Sequence, residues 1–252
     1  MQLRVLVPLF LSLLMLSACA RSTESLQQVE PAANSTSAIT TPWVRSAVPD
    51  GINKKFLDPD LKAEEWLVRW EVESREIFSE RLSIVEGVGL APGATIADVG
   101  TGTGLFVEHF SKAVGPNGKV FALDISPKFI DHLRLRVRQE GLGNVEPYLS
   151  GETSTELPND SCDFVFVCDT YHHFEYHEAM LQSIYDSLKP GGILVIIDFE
   201  RIEGVTREWI LGHVRAGKKQ VTQEILAAHF ELVEEVHIPG LQENYFLRFR
   251  KR

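Results

Sequence analysis

Asp98-Val99-Gly100-Thr101-Gly102-Thr103-Gly104 gathers a carboxylate and three glycines within seven residues. Glycines let the backbone take positive φ and approach a ligand closely, and the helical stretch that follows, Leu105 to Ala113, offers free N–H groups at its start. Such a turn holds a nucleotide-like ligand. Asp124, twenty residues past Gly104, ends a second strand-like run from Lys119. A carboxylate there can accept from both hydroxyls of a ribose. A dinucleotide fingerprint, Gly-x-Gly-x-x-Gly, needs glycine at 105, where Leu105 stands. Asp98 would repel a pyrophosphate and suits a ligand with an ammonium group. Further on, Asp169-Thr170-Tyr171-His172-His173-Phe174 follows another strand-like run. Ligands of an open parallel sheet sit beyond the carboxyl ends of its strands, so Asp169, His172 and His173 are candidates to face one. A histidine there either takes a proton from a hydroxyl or acidic carbon, or serves as pocket wall or helix cap. His173 and His177 are one helical turn apart, but no second acid-histidine motif joins them, and no metal is expected. Tyr185 and Lys189 have a Tyr-x-x-x-Lys spacing that reads as chance.

The elements that must carry these residues fit one α/β domain plus extras in 252 residues. Lys and Arg number 25 against 35 Asp and Glu, a net charge of −10. That surface argues against nucleic acid, which takes clustered cations. Cys19, Cys162 and Cys168 form neither a disulfide framework nor a zinc spacing. Arg4, the apolar run Val5 to Leu16 and Leu16-Ser17-Ala18-Cys19 have the anatomy of a secretory signal, too short to span a bilayer. The ending resembles the bacterial lipoprotein box, in which the cysteine is acylated. The expected division is a signal at 1–18, a flexible tether at 19–42 reaching roughly 25–30 Å, a helical cap at 43–89 and a ligand-binding domain at 90–252. The protein is then membrane-anchored through Cys19 on the extracytoplasmic side, or cytoplasmic if the signal is unused.

In the cap, Asp60 or a neighbour can start a helix whose apolar positions Leu61, Trp66, Leu67, Trp70 and Ile77 recur at three- to five-residue steps. Trp66, Arg69, Trp70 and Arg75 either pack it on the main domain or close over a ligand. Ser126 and Pro127 suit an N-cap and first helical residue, and Gly141 stops that helix. Glu231 to Ile238 and Asn244 to Phe249 are β-rich runs separated by Pro239-Gly240.

Taken in order, these residues resemble the class I S-adenosylmethionine-dependent methyltransferases, in particular the small-molecule group akin to ubiquinone-biosynthesis C-methyltransferases. Asp98 to Gly104 matches the first motif and Asp124 the ribose-binding acid. Gly151-Glu152-Thr153 with Leu157-Pro158 is similar to the adenine loop, where the family often has Asp in place of Glu152. Asp163 to Asp169 resembles the fourth strand, and Leu188 to Gly192 followed by Ile193 to Ile197 the fifth. The resemblance implies an α/β, Rossmann-like, doubly wound sheet, mostly parallel, of seven strands with an antiparallel C-terminal strand. It implies S-adenosylmethionine as methyl donor. Asp98 would order the methionine ammonium, Gly100, Thr101, Gly102 and Gly104 line the donor, Asp124 and Ile125 hold the ribose side and Glu152 the adenine. Asp169, His172 and His173 would face the sulfonium methyl group and a small or lipid-like acceptor. The polar cluster between Arg207 and Lys218, a region where the family often places acceptor-binding residues, is either site or surface. Since the donor is made in the cytosol, an exported chain admits a second reading, a non-catalytic binding or sensing protein for adenosyl compounds.

Overall fold

The computed structural model describes residues 43–252; the signal, the tether and Cys19 lie outside the described residues. Seven strands, β1 (Thr95–Val99), β2 (Lys119–Asp124), β3 (Val145–Leu149), β4 (Cys162–Cys168), β5 (Leu188–Phe199), β6 (Phe230–Glu235) and β7 (Asn244–Lys251), form one sheet. Its order is β3-β2-β1-β4-β5-β7-β6. β1 to β5 pair in parallel, and β7 runs antiparallel to both β5 and β6. The expected fold class is therefore the one observed. β1, β4 and β5 lie in the middle, covered on both faces, which is why they read as nearly continuous apolar runs. Edge strand β6 instead exposes Glu231, Glu234 and Glu235, which discourages pairing with another chain.

Helices α1 (Ala63–Trp70), α2 (Glu76–Ser79) and α3 (Arg81–Val88) precede the sheet; α4 (Val107–Val114), α5 (Pro127–Glu140), α6 (His177–Ser187), α7 (Glu208–His213) and α8 (Lys218–Ala227) are interleaved with its strands. Ile84, Val107, Phe110, Ile130 and Leu133 from α3, α4 and α5 pack on one face with Phe166 and Val195. Leu181, Ile184, Val221 and Ile225 from α6 and α8 cover the other with Val165 and Ile196. Among the described residues no helix is long and apolar enough to cross a membrane.

Three local expectations are corrected. The helix expected through Leu61 to Ile77 is broken into α1 and α2, because Glu71 leaves helical geometry with ψ 63°. Its carboxylate accepts hydrogen bonds from the Thr103 hydroxyl at 2.9 Å and from Arg136 at 3.3 Å, which fastens the end of α1 to the glycine turn. Glu76 then accepts from the backbone N–H groups of Gln242, Glu243 and Asn244, clamping α2 to the start of β7. Asp60 caps nothing; Lys62 occupies the N-cap without a side-chain bond. Ser126 stands at the N-cap of α5 as expected, but its hydroxyl is unpartnered, and its backbone N–H donates to Asp124 Oδ1 at 2.8 Å.

Candidate functional site

A cavity of about 920 Å³ opens at the carboxyl ends of the central strands. Its donor side is local in sequence. Asp98, Gly100, Thr101, Gly102, Asp124, Ile125 and Glu152 all line it. Asp98 is 3% exposed, and its Oδ2 has no hydrogen-bond partner. Burial, with the neighbouring Asp124 charge adding to it, pushes its carboxyl up to about 7. Asp124 is also buried, and burial raises it to about 6, held down by accepted backbone N–H bonds, among them Gly102 at 2.9 Å and Ser126. A carboxylate offers about four acceptor sites, so Asp124 retains capacity for hydroxyl donors. Gly100 is in the left-handed region at φ 75°, and a Cβ there would stand 2.2 Å from Thr170 Cγ2. The chain thus crosses between the β1 and β4 ends with no room for a side chain.

Gly104 is the exception on this side. It does not line the cavity; a Cβ on it would meet Leu133 Cδ2 at 2.5 Å, so its role is close packing of the turn on α5. Glu152 is exposed at the rim.

The far side is assembled from distant segments. Asp169 takes a left-handed conformation, φ 48°, just past β4. Its carboxylate accepts from Arg75 Nη2 and from Asn244 Nδ2, each at 2.6 Å. Burial raises it to about 6, with Arg75 opposing. Asp169 lines the cavity, and its two oxygens serve protein donors that join the N-terminal segment, β4 and β7. His172 is 4% exposed; its Nδ1 lies 2.7 Å from Asp198 Oδ1, and its backbone N–H donates to Asp198 Oδ2. Burial alone would lower its imidazole, but the Asp198 charge outweighs that and the net direction is up. His173 Nδ1 lies 3.1 Å from Asn53 Oδ1. Burial, then the charges of His172 and His213, hold His173 far down. His213, at the end of α7, completes a triangle of rings with centroids 4.4, 5.1 and 5.1 Å apart. Burial lowers it to about 4.

Beside the histidines stands an aromatic wall, Phe56, Trp66, Trp70 and Phe129, with successive centroids 5.1, 4.7 and 5.5 Å apart; Phe56 meets His173 edge-on at 5.3 Å. Trp66, Arg69, Trp70 and Arg75 all line the cavity, and Trp70 also packs on Phe129 of α5, so the segment both rests on the main domain and faces the site. The Arg207 to Lys218 region divides. Arg207, Trp209 and His213 reach the cavity, whereas Arg215 forks onto Glu224 with two 2.7 Å bonds and Lys218 pairs with Glu200 and Glu235. His177 bonds Ser46 away from the trio, and Tyr185 and Lys189 bond the Arg252 carbonyl and Asp163, outside the cavity. Asp198, Asn53, Phe56 and Asn244 escaped the sequence reading. Only Asp198 left a signal, an acid at the carboxyl end of the apolar β5 run.

The residues present fit an adenosyl sulfonium donor. The unpartnered buried oxygen of Asp98 lacks a cation, and Asp124 stands ready for ribose hydroxyls. Residues 96–192 match the family model described as a methyltransferase domain. The chain is similar to the ubiquinone/menaquinone biosynthesis C-methyltransferase UbiE of Hydrogenovibrio crunogenus, 30% identical over 119 residues, 47% of each chain. It is likewise similar to that of Escherichia fergusonii, 32% identical over 114 residues, 45% of each. The match thus spans about half the length of these relatives. Among solved structures, a SAM-dependent methyltransferase from Aquifex aeolicus superposes with a TM-score of 0.65 at 25% identity, covering 77% of this chain and 100% of that one. Residues 96–192 thus match a methyltransferase domain, within a fold shared with a solved SAM-dependent methyltransferase.

Proposed function

We propose that this chain transfers a methyl group from S-adenosylmethionine to a small or lipid-like acceptor seated in the cavity that the histidine trio and the adjoining aromatic wall line. The observation that carries the reading is Asp98: a carboxylate buried at a cavity edge with one oxygen unpartnered is costly unless a ligand brings a cation to it. S-adenosylmethionine supplies an electrophilic methyl group on a positively charged sulfur. The chain's task is then to hold two partners in line and exclude water, which supplies much of such a reaction's acceleration. Phe56, Trp66 and Trp209, with Lys55, Arg69 and Arg207 over their rings, line the cavity for an aromatic or lipid-like acceptor, in keeping with the quinone-pathway names of the relatives. Asp169, with Arg75 and Asn244, ties the cap to the sheet ends beside the histidines. In the same proposal, acylation of Cys19 tethers the enzyme to a membrane, where a lipid-like acceptor would reside.

Calorimetric titration with S-adenosylmethionine, S-adenosylhomocysteine and NAD in parallel tests the donor. Binding of the adenosyl pair with none of NAD is expected, and loss of the pair would overturn the reading. Turnover is read as S-adenosylhomocysteine released in the presence of hydroxylated aromatic acceptors; tight donor binding with no turnover on any of them would favour the binding-protein alternative. For the tether, Cys19→Ser should release the protein from membranes, and a wild type that is already soluble with its first eighteen residues intact would exclude it.

A further inference from the structure

The three imidazoles are ordered in a way that a pocket wall does not require. Asn53 donates through Nδ2 to the His173 carbonyl at 3.0 Å and to Glu175 Oε1 at 3.3 Å, which fixes its amide with Oδ1 toward His173. An amide oxygen can only accept, so His173 carries its proton on Nδ1. Asp198 imposes the same tautomer on His172. In His173 the remaining nitrogen, Nε2, is left as a lone pair, and in His172 Nε2 is the nitrogen that Asp198 does not hold. His213 has no hydrogen-bond partner among the described residues, and one ring nitrogen from each of the three lies within 4.8 Å of the others. Three ring nitrogens gathered this closely can share one electrophile.

The arrangement behind the rings is that of metal-binding histidines, which donate their second N–H to a carboxylate or carbonyl oxygen that sets tautomer and orientation. The trio joins the 3-10 turn after β4 to the end of α7, so two separately positioned elements converge on one point. A tetrahedral ion with metal–nitrogen bonds of about 2.0–2.1 Å holds its ligand atoms roughly 3.3–3.5 Å apart, a separation that small ring rotations reach from the observed one. Asp198 supplies negative charge directly behind His172. The cation facing the trio is Lys55, drawn toward the aromatic wall with its ammonium 4.8 Å from the Phe56 centroid.

We propose that His172, His173 and His213 form a three-imidazole site for a divalent transition metal such as Zn²⁺, with a fourth position open to the cavity for an oxygen of the acceptor. Three protein ligands and an open position mark a reactive rather than a structural site. The metal would bind an anionic oxygen, a phenolate, enolate or carboxylate, and so narrows the acceptor to molecules carrying one. That narrowing rests on the methyl-transfer reading; the metal site rests on the histidines alone. His177, beside them in sequence, takes no part.

The test uses the untagged full-length chain, stripped with chelator and titrated with Co²⁺, followed by visible absorption, and with Zn²⁺ by calorimetry. One equivalent should bind, giving the d–d bands of a tetrahedral nitrogen-ligated ion that Zn²⁺ displaces. His213→Ala and His173→Gln should each abolish the bands, and Asp198→Asn should weaken binding by about 10–100-fold through the lost orienting bond. Circular dichroism melts establish that the variants are folded, independently of donor binding. Absence of saturable Co²⁺ or Zn²⁺ binding in the wild type, or binding unchanged in both histidine variants, would overturn the proposal. Failure to bind S-adenosylhomocysteine would count against the donor reading alone, because the cobalt bands report the metal without it.

Discussion

Replacing Asp98 by asparagine should make the empty protein more stable and its donor binding weaker. The carboxyl is raised from 3.8 to about 7 in the folded chain, chiefly by burial. Each unit corresponds to 1.36 kcal/mol, so an ionised Asp98 costs the ligand-free fold on the order of 4 kcal/mol. The folded state keeps its proton longer than the unfolded state. The penalty is therefore absent below about pH 4, grows as pH rises to about 7 and is level above that. The Asp98→Asn variant carries no charge at this position at any of these values, which removes the slope. Urea unfolding at pH 5 and pH 8 should show the variant gaining stability over wild type mainly at pH 8. In the same protein S-adenosylhomocysteine loses a hydrogen bond to a charged group, worth about 1.5–3 kcal/mol, or roughly ten- to a hundredfold in affinity. Calorimetry at pH 8 reads that loss. A variant no more stable at pH 8 than wild type, or one that binds the nucleoside as tightly, would refute the reasoning.

Asp124→Ala removes the acceptor for the ribose hydroxyls and should lower S-adenosylhomocysteine affinity at least about tenfold by calorimetry; unchanged affinity would remove Asp124 from the donor site. Gly100→Ala forces a side chain into the left-handed region, costing about 1–2 kcal/mol, beyond its clash with Thr170. Urea midpoints should show the loss, with Thr170→Gly relieving only the clash and leaving the backbone cost. Glu224→Ala strips a side chain that holds both Arg215 and the Tyr171 hydroxyl, leaving a nearly buried guanidinium alone. A destabilisation of about 3–5 kcal/mol is expected in urea unfolding, and one under about 1 kcal/mol would show that water replaces the carboxylate.

The donor side was legible because its chemistry is contiguous. Asp98, Gly100 and Gly102 lie within five residues, and Asp124 ends the adjacent strand, so strand–turn–helix geometry alone brings them together. Gly104 misled because a glycine that permits close helix packing has the same signature as one that permits close ligand approach. The far side was not legible because its members, from Asn53 through His172 and Asp198 to Asn244, meet only through tertiary packing. His177 shows the limit of spacing. Four residues after His173 it sits one turn along only if a helix is continuous, and here the 3-10 turn ends at His173 and α6 begins at His177. His213, forty residues on, is the ring that packs against His173 instead. The cap was half legible: its apolar period was real, but the demands of Glu71 on the glycine turn and Glu76 on β7 broke the helix that the period describes.

Four carboxylates stand at the same edge of the sheet, Asp98, Asp124, Asp169 and Asp198, at or just past the carboxyl ends of β1, β2, β4 and β5. Like charges so arranged repel unless each is answered, and the answers differ. Asp169 has Arg75 and Asn244, Asp198 has His172, and Asp124 has backbone N–H groups that neutralise only in part. Of the four, Asp98 alone retains an unpartnered buried oxygen. The unanswered charge thus sits at one point, and the nearest hydroxyl acceptor is Asp124. Asp98 pairs in register with Ala122, so Asp124 lies one strand across and two residues along. At about 4.8 Å between strands and 3.3 Å per residue the two Cα atoms are roughly 8 Å apart. That separation asks for a ligand with a cation at one end and paired hydroxyls several bonds away, the layout of an amino acid joined through sulfur to a ribose. A free amino acid would leave Asp124 unused, and a simple nucleoside would leave Asp98 bare. The length and polarity of the donor follow from where two acids fall on adjacent parallel strands, whereas the acceptor is set by side chains that this register does not control.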